Sequence, residues 1–273
     1  MTSVRAPAQA GRFYPLARAA IDRALDEYLP SPSSVRRTCR AVMLPHAGWV
    51  YCGGVIGAVL DGTDVPATAI VIGPRHTGRG ARLSVAPHDA WDLPGDRVPL
   101  DLALVRACRA RFPALVAEPE AHAAEHGVEV LLPFLRRARP DLAVVPIAMG
   151  ALGLDEVLAF GRALAAVVAS LAVPPWFVIS SDMNHFADDA TTRRLDALAL
   201  DALATGDPRV LHDVVRRHDI SMCGVLPAVC VLEALRTLDP GRAVNAERVA
   251  YATSADTSGD TTRVVGYAGV RLV

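Results

Sequence analysis

Lysine is absent from the 273-residue chain, so all 28 of its basic residues are arginines. This absence excludes chemistry that depends on a lysine amine: a Schiff base, a pyridoxal phosphate anchor or the lysine of a Walker A loop. The 29 acidic residues bring the formal net charge to −1. A chain so close to neutral lacks the basic excess of nucleic-acid-binding and membrane-surface proteins. We therefore expect no nucleic-acid partner and no membrane partner.

Cysteine is scarce as well, with five residues scattered along the chain. Their number and spacing do not fit a disulfide scaffold. The first 15 residues, MTSVRAPAQAGRFYP, lack the apolar stretch of a secretion signal. Together these features predict reduced thiols and a cytoplasmic protein. Cys39, Cys108 and Cys230 lie in apolar runs and are expected to be buried.

The chain has one apolar run long enough to suggest a membrane span, at residues 163–180. Pro174 and Pro175 interrupt this run, and Arg162 and Asp182 lie just outside it. Because a proline pair ends a helix, we interpret the run as a buried helix, a turn and a buried strand.

Four short apolar runs are typical of fully buried β-strands because they show no polar alternation. Helical patterns separate them, which predicts a single α/β domain over residues 1–273 with a mainly parallel central sheet flanked by helices. The polar stretch 30–37 is expected to be a loop. The apolar runs at 248–255 and 261–273 are expected to form an antiparallel hairpin at a sheet edge. The four strand runs are RAVML at 40–44, ATAIVIG at 67–73, LAVVPIAM at 142–149 and WFVIS at 176–180.

Histidine follows three of these four strands directly. His46 comes after the first strand, His76 after the second, and Asp182 and His185 after the fourth. Ligands of parallel sheets bind beyond the carboxyl ends of the strands, so these side chains are expected to share one pocket. Imidazoles and a carboxylate at one sheet edge suit a metal site and the groups that support it. Asp182 is equally compatible with a helix N-cap.

Two further segments carry residues of the same chemistry. Glu125 and Glu129 are four apart in a stretch with a helical pattern, and His126 lies between them. Cys223 precedes an apolar helix, where a helix N-terminus would lower the pKa of its thiol. The alternatives are a solvated helix start for the two glutamates and a small buried side chain for Cys223. The other histidines are expected at the surface or in local hydrogen bonds: His88, His122, His212 and His218.

A series of motifs in this order resembles the Memo family, called AmmeMemoRadiSam system protein B in bacteria. The motifs are RAPAQAGRFYP, PHAGWVYCGG, IGPRHTG, WDLPGDRVPLD, EHGVEVLLPF, SSDMNHF, MCGVLP and VVGYAGV. The resemblance implies the fold of class III extradiol dioxygenases, which use a non-haem iron at the edge of a central sheet. It also implies functional association with an AMMECR-type protein and a radical SAM protein.

Matched motif by motif, the resemblance implies a role for individual residues. His46, His76 and Cys223 fall on the metal-ligand positions of the family, and Asp182 and His185 line the same pocket as candidate catalytic residues. Trp49 stands where tyrosine is common, and Asn184 stands at a variable place. A last group is expected to contact the substrate or to support the ligands: Trp49, Tyr51, Glu125 and His126.

Two imidazoles and one thiolate suit iron, copper or zinc, and three protein ligands leave a coordination position open. We expect iron or copper and a redox metalloprotein or dioxygenase-like oxidoreductase, with His185, oriented by Asp182, as the acid/base. A thiolate in place of the usual carboxylate argues against ordinary extradiol ring cleavage. Two alternatives remain open: a hydrolase with a zinc-activated water, and a non-enzymatic module that binds a peptide or small molecule.

Overall fold

A computed structural model describes residues 3–29 and 36–273 of the chain. The loop predicted at 30–37 therefore lies mostly outside the described residues. The strands are β1 (Val4–Arg5), β2 (Ala41–Leu44), β3 (Thr68–Pro74), β4 (Leu83–Val85), β5 (Ala90–Leu93), β6 (Asp96–Pro99), β7 (Val116–Ala117), β8 (Ala143–Met149), β9 (Trp176–Ser180), β10 (His185–Ala187), β11 (Ala246–Thr253) and β12 (Val264–Leu272). The helices are α1 (Arg18–Tyr28), α2 (Trp49–Leu60), α3 (Leu102–Arg111), α4 (Leu132–Ala138), α5 (Leu154–Ala169), α6 (Asp189–Ala204), α7 (Pro208–Arg217), α8 (Val225–Leu238) and α9 (Ala255–Ser258).

The four predicted buried strands form the centre of the main sheet, which has the order β10-β12-β2-β9-β3-β8-β4-β7. Strands β2, β9, β3 and β8 are parallel to their neighbours within this group. Strands β12 and β4 flank the group and run antiparallel to it. The fold is thus a single α/β domain whose sheet is mixed, with a parallel centre as predicted. A second, small sheet has the order β1-β5-β6.

Helices cover both faces of the main sheet, which explains why its central strands are apolar throughout. Successive side chains of β2 point to opposite faces: Met43 packs in one core with α5 and α8, and Val42 and Leu44 pack in the other with α2 and α4. All three side chains are fully buried. Because the two cores bury both faces of the sheet, polar side chains reach the surface at the ends of the strands.

The C-terminal hairpin forms as predicted at an edge of the sheet, with β11 as the outer strand and β12 as the inner one. Strand β11 pairs antiparallel with β12. Strand β12 also pairs with β2 through Val270 and Met43, and with β10 at its other end. The apolar character of β12 fits this position, because eight of its nine residues are buried.

The stretch predicted as one helix from Glu125 onward is divided. Glu125 lies in an irregular segment, a single 3-10 turn spans Glu129–Leu131, and α4 follows. Pro133 lies in the first turn of α4. Proline lacks an N–H group and is tolerated in the first helical turn but not in the helix interior, so the α-helix begins there.

The long apolar run at 163–180 consists of the end of α5, a turn and strand β9, as predicted. Across residues 3–29 and 36–273, no helix has the length and apolar character required to cross a membrane.

Candidate metal centre

The order of the central strands brings three polar strand ends together. Strand β9 lies between β2 and β3. His46 follows the end of β2 by two residues, His76 follows the end of β3 by two, and Asp182 follows the end of β9 by two. Because the three strands are parallel, their carboxyl ends meet at one edge of the sheet.

Cys223 joins this edge from the segment that precedes α8. Its Sγ lies 3.3 Å from Nε2 of His46. Ligand atoms of His46, His76 and Cys223 all lie within 4.8 Å of one another. The structure therefore brings together the three residues that the sequence suggested as metal ligands, and the group could hold a metal ion.

A hydrogen bond to Ser180 fixes the tautomer of the His46 ring. The Ser180 hydroxyl donates to the carbonyl of Gly127, and its oxygen lies 2.7 Å from Nδ1 of His46. Because a hydroxyl has a single proton, Nδ1 of His46 must carry the proton and donate to Ser180. Nε2 then presents a lone pair towards Cys223. Burial lowers the pKa of His46 well below its usual value, with further lowering by the nearby histidines, so the ring is neutral.

Glu125 performs the same task for His76. Oε1 of Glu125 lies 2.7 Å from Nδ1 of His76, and Oε2 accepts the backbone N–H of His76 at 2.6 Å. Although burial raises the pKa of Glu125, the hydrogen bond and charge of His76 and the N–H of Gly127 outweigh it and lower this pKa to about 2. The carboxylate therefore accepts the Nδ1 proton and leaves Nε2 of His76 free for a ligand.

A second group of metal-ligand types, formed by His76, Glu125 and His126, overlaps the first. Its carboxylate has little remaining capacity, because Oε1 already accepts the backbone N–H groups of His126 and Gly127 in addition to Nδ1 of His76. Glu125 thus supports His76 by hydrogen bonding, and the first group is the better metal candidate.

His126 forms one wall of the site by stacking. Its ring lies between those of His76 and Phe13, with centroid distances of 4.2 and 4.5 Å. Burial lowers the pKa of His126 to about 4. Phe13 belongs to the N-terminal segment, which Glu129 holds in place by accepting the Tyr14 hydroxyl at 2.8 Å and by an ion pair with Arg5 at 2.7 Å.

Asp182 supports the His46 loop and does not cap a helix of its own segment. Its Oδ1 accepts the backbone N–H of His46 at 2.7 Å. Burial raises the pKa of Asp182 to about 6 despite this hydrogen bond. The expected pairing with His185 is replaced by another contact, since Nδ1 of His185 donates to the carbonyl of Ser221 at 2.8 Å. Residues 185–187 form β10 instead of a helix, so the three-residue spacing does not align the two side chains.

Cys223 differs from the sequence expectation in its acidity. Burial raises the pKa of its thiol, and the negative charge of Asp182 raises it further. The backbone N–H of Asp182 donates to Sγ at 3.2 Å. A thiol in this setting needs a cation beside it to become a thiolate, and a bound metal ion provides one.

Trp49 and Tyr51 occupy different environments. The Trp49 indole is buried, donates to the carbonyl of Val130 at 3.0 Å and packs against Tyr14 and Phe134. Its contacts therefore belong to the core. Tyr51 is exposed in the first turn of α2, five positions after His46.

Several residues of the site were not suggested by the sequence: Phe13, Ser180, Asn184 and Ser221. The first lies in the N-terminal RFYP motif and the second ends the last buried strand, yet neither is a residue type that signals metal chemistry by itself. Their importance depends on which side chains they touch across the fold.

Among the other histidines, His88 and His122 are buried and not at the surface, and His122 is the more deeply buried of the two. Nε2 of His122 lies 3.1 Å from the Ser84 hydroxyl, and burial lowers its pKa to about 4. The sequence pattern missed this burial because the residue lies in an irregular segment with no apolar periodicity.

The fold is shared with a solved structure, the uncharacterized protein JW3007 from Escherichia coli K12. The two chains superpose with a TM-score of 0.56 at 16% sequence identity, over 83% of this chain and 98% of the other. This likeness defines the class of protein, an α/β domain with a mixed sheet flanked by helices.

The family is defined by sequence. The family model described as Memo-like protein matches residues 5–271. A MEMO1 family protein of Aquifex aeolicus (strain VF5) is 32% identical over 268 residues, and one of Ignicoccus hospitalis is 33% identical over 283 residues. Each alignment covers 98% of this chain and 98% of the relative. The chain therefore belongs to the Memo-like protein family.

Proposed function

We propose that this protein is a metal-dependent oxidoreductase that holds iron or copper through His46, His76 and Cys223 and acts on a small molecule. The observation that supports the proposal is the tautomer of the two imidazole rings. Each has Nδ1 committed to an acceptor, Ser180 or Glu125, so each presents Nε2 to the space shared with Cys223. Metal-binding histidines in proteins have this arrangement, with the second ring nitrogen held by a hydrogen bond.

The donor set favours a redox-active ion. Imidazole suits iron, copper and zinc, and a thiolate favours softer ions such as Cu(I) together with zinc and iron. When bound, iron or copper would supply one-electron redox chemistry at this position. The thiolate differs from the carboxylate of the two-histidine, one-carboxylate iron oxygenases, so the proposal does not include extradiol ring cleavage.

The residues around the three ligands supply the other requirements of a reaction. His185 has Nδ1 bonded to the Ser221 carbonyl, which leaves Nε2 to give or take a proton. The ring of His126, with Phe13 stacked behind it, covers one face of the His76 ring. Asp182 holds both ligands in place: its carboxylate accepts the backbone N–H of His46, and its backbone N–H and carbonyl both bond to the sulfur of Cys223.

The cellular setting is proposed from the thiols and from family resemblance. All five cysteines are unpaired, which suits a reducing cytoplasm. We infer functional association with an AMMECR-type protein and a radical SAM protein only from the resemblance of the sequence to bacterial members of the family.

Metal content tests the proposal. The wild-type chain and the variants His46→Ala and Cys223→Ala would be purified without oxygen and without a metal-affinity column, then analysed by ICP mass spectrometry. We expect about one iron or copper per wild-type chain and loss of the metal in both variants, because each loses one of three ligands. His218→Ala is a matched control, since His218 is exposed after α7.

The other possible results argue against the proposal in distinct ways. Zinc as the only bound metal would favour a hydrolase that uses a metal-activated water. Absence of metal from every sample, even after reconstitution with ferrous or cuprous ions, would leave a binding module without a metal requirement.

A further inference from the structure

Two segments of the site, residues 181–185 after β9 and residues 219–224 before α8, are joined by a bridge of hydrogen bonds. His185 lies on the first segment and Cys223 on the second. Asn184 and Ser221 form the centre of the bridge, and their side chains hydrogen-bond to residues other than the three candidate ligands.

The carboxamide of Asn184 is hydrogen-bonded through both its oxygen and its nitrogen. Its oxygen accepts the backbone N–H of Ser221 at 3.2 Å and the Ser221 hydroxyl at 3.0 Å. Its amide nitrogen donates to the hydroxyl of Thr192 on α6 at 3.3 Å. Asn184 and Thr192 are both buried. A buried carboxamide that is hydrogen-bonded on both sides favours one arrangement of the chain around it.

Ser221 in turn fixes the position of His185 through two hydrogen bonds. Its hydroxyl oxygen accepts the backbone N–H of His185 at 2.7 Å, and its carbonyl accepts Nδ1–H of the His185 ring at 2.8 Å. A carbonyl can only accept, so Nδ1 carries the proton and Nε2 is free. The direction and tautomer of the His185 ring therefore depend on Ser221.

The same bridge fixes Cys223, which follows Ser221 by two residues. The Cys223 sulfur accepts the backbone N–H of Asp182, and the backbone N–H of Gly224 donates to the Ser181 hydroxyl at 3.0 Å. No Cβ fits on Gly224, because it would lie 2.3 Å from the Cβ of Ser181. The two segments are thus in close contact on both sides of the sulfur.

We propose that Asn184 and Ser221 are positioning residues. They hold the Cys223 sulfur close enough to the two imidazoles for all three to bind one metal ion, and the Ser221 carbonyl sets the tautomer of His185. This inference rests on the proposed function, because it assigns these residues to the same site. Removal of a group that hydrogen-bonds to a metal ligand changes metal affinity by about 10- to 100-fold. We expect an effect near the lower end of this range for these two residues, which act through the backbone around Cys223.

Cobalt(II) binding tests the proposal, because a cobalt–thiolate bond gives a charge-transfer absorption that reports on the Cys223 sulfur itself. Wild type, Ser221→Ala, Ser221→Thr and Asn184→Leu would be titrated anaerobically with Co²⁺, and their thermal unfolding would be recorded without metal. Ser170→Ala is the matched control, since the Ser170 hydroxyl bonds to Val167 at the end of α5. Ser221 is exposed, so its alanine variant is expected to fold.

We expect Ser221→Ala to bind Co²⁺ at least tenfold more weakly, with a weaker thiolate absorption and a melting temperature close to that of wild type. Ser221→Thr keeps the hydroxyl and should restore both values, and Asn184→Leu should resemble Ser221→Ala. Wild-type affinity and absorption in Ser221→Ala would overturn the positioning role and leave the proposed function intact. No cobalt–thiolate absorption in wild type would instead overturn the proposed function, and the positioning role with it.

Discussion

At the scale of single residues, a serine decides how His46 can act. Ser180 has one hydroxyl proton and gives it to Gly127, so the His46 ring must donate to Ser180 and keep Nε2 free. A histidine with the opposite tautomer would turn an N–H towards Cys223 and could not bind a metal through that nitrogen. The hydroxyl therefore selects the binding form of the ring without touching the metal position.

The variant Ser180→Ala removes this selection. We expect metal affinity to fall by about 10- to 100-fold, because the supporting hydrogen bond of a ligand is lost. The affinity would be measured by competition with a chromogenic chelator, with Ser170→Ala as the control that loses a hydroxyl elsewhere. An unchanged affinity in Ser180→Ala would mean that the His46 tautomer is fixed by other groups.

The sequence could predict which residue types meet but not how they are paired. His46 and His76 were identifiable because each follows a buried strand, and parallel strands deliver such residues to one edge. The partner of His185 was not identifiable, because Ser221 lies 36 positions away and offers only a hydroxyl and backbone groups. The lowered pKa predicted for the Cys223 thiol was also wrong, because burial raises this pKa and the charge of Asp182 raises it further.

At the scale of elements, helix α2 shows how closely the structure packs behind the site. Gly57 faces α1, and a Cβ added there would lie 1.8 Å from the backbone oxygen of Tyr28. Gly54 lies on the same helix, and a Cβ added there would have no neighbour within 4 Å. Substitution of Gly54 therefore tests helix propensity alone, and substitution of Gly57 also tests the close packing of α2 against α1.

Alanine at each position should have opposite effects. Gly54→Ala should stabilise the protein by about 0.5–1 kcal/mol, because alanine favours the helix. Gly57→Ala should destabilise it by roughly 1–3 kcal/mol, because α1 must move away. Urea unfolding would give both values, and equal effects of the two substitutions would show that α1 is not packed as described.

The predicted elements were most accurate where the pattern was most apolar. All four central strands were confirmed, because a run of apolar residues between helices has few alternatives. The boundaries near Glu125 were wrong because the pattern ignored how Pro133 restricts the helix start. The place of β12 inside the sheet depends on pairing with β2, over 200 positions away, which no local pattern reports.

At the scale of the whole molecule, a buried acid links three parts of the chain. Asp196 on α6 accepts the backbone N–H of Asn184 and the hydroxyl of Tyr251 on β11, each at 2.7 Å. Its side chain has no exposure to solvent. Burial raises the pKa of Asp196 from 3.8 to about 6, although both hydrogen bonds oppose the change.

This shift predicts a loss of stability with rising pH. The folded chain holds the Asp196 proton more tightly than the unfolded chain, so its contribution is fully present below pH 4 and is lost as the pH rises through about 6. The loss should amount to about 3 kcal/mol. Asp182 and the buried histidines also titrate in this range, so the test is the difference between two profiles. In urea unfolding of the metal-free proteins, the stability of wild type relative to Asp196→Asn should fall by this amount from pH 4 to 7, and parallel profiles would contradict it.

The wide separation of His46, His76 and Cys223 along the chain has a kinetic consequence. An unfolded chain holds no ready-made chelate, because Cys223 is 177 positions from His46, and closing such a loop before the sheet exists costs entropy. The three donors meet only once β2, β9, β3 and the start of α8 are in place, so metal capture should be among the last events of refolding. The absorption of a bound ion would then report completion of the fold. It should appear after the circular dichroism signal of the helices, at the rate of the slowest refolding step.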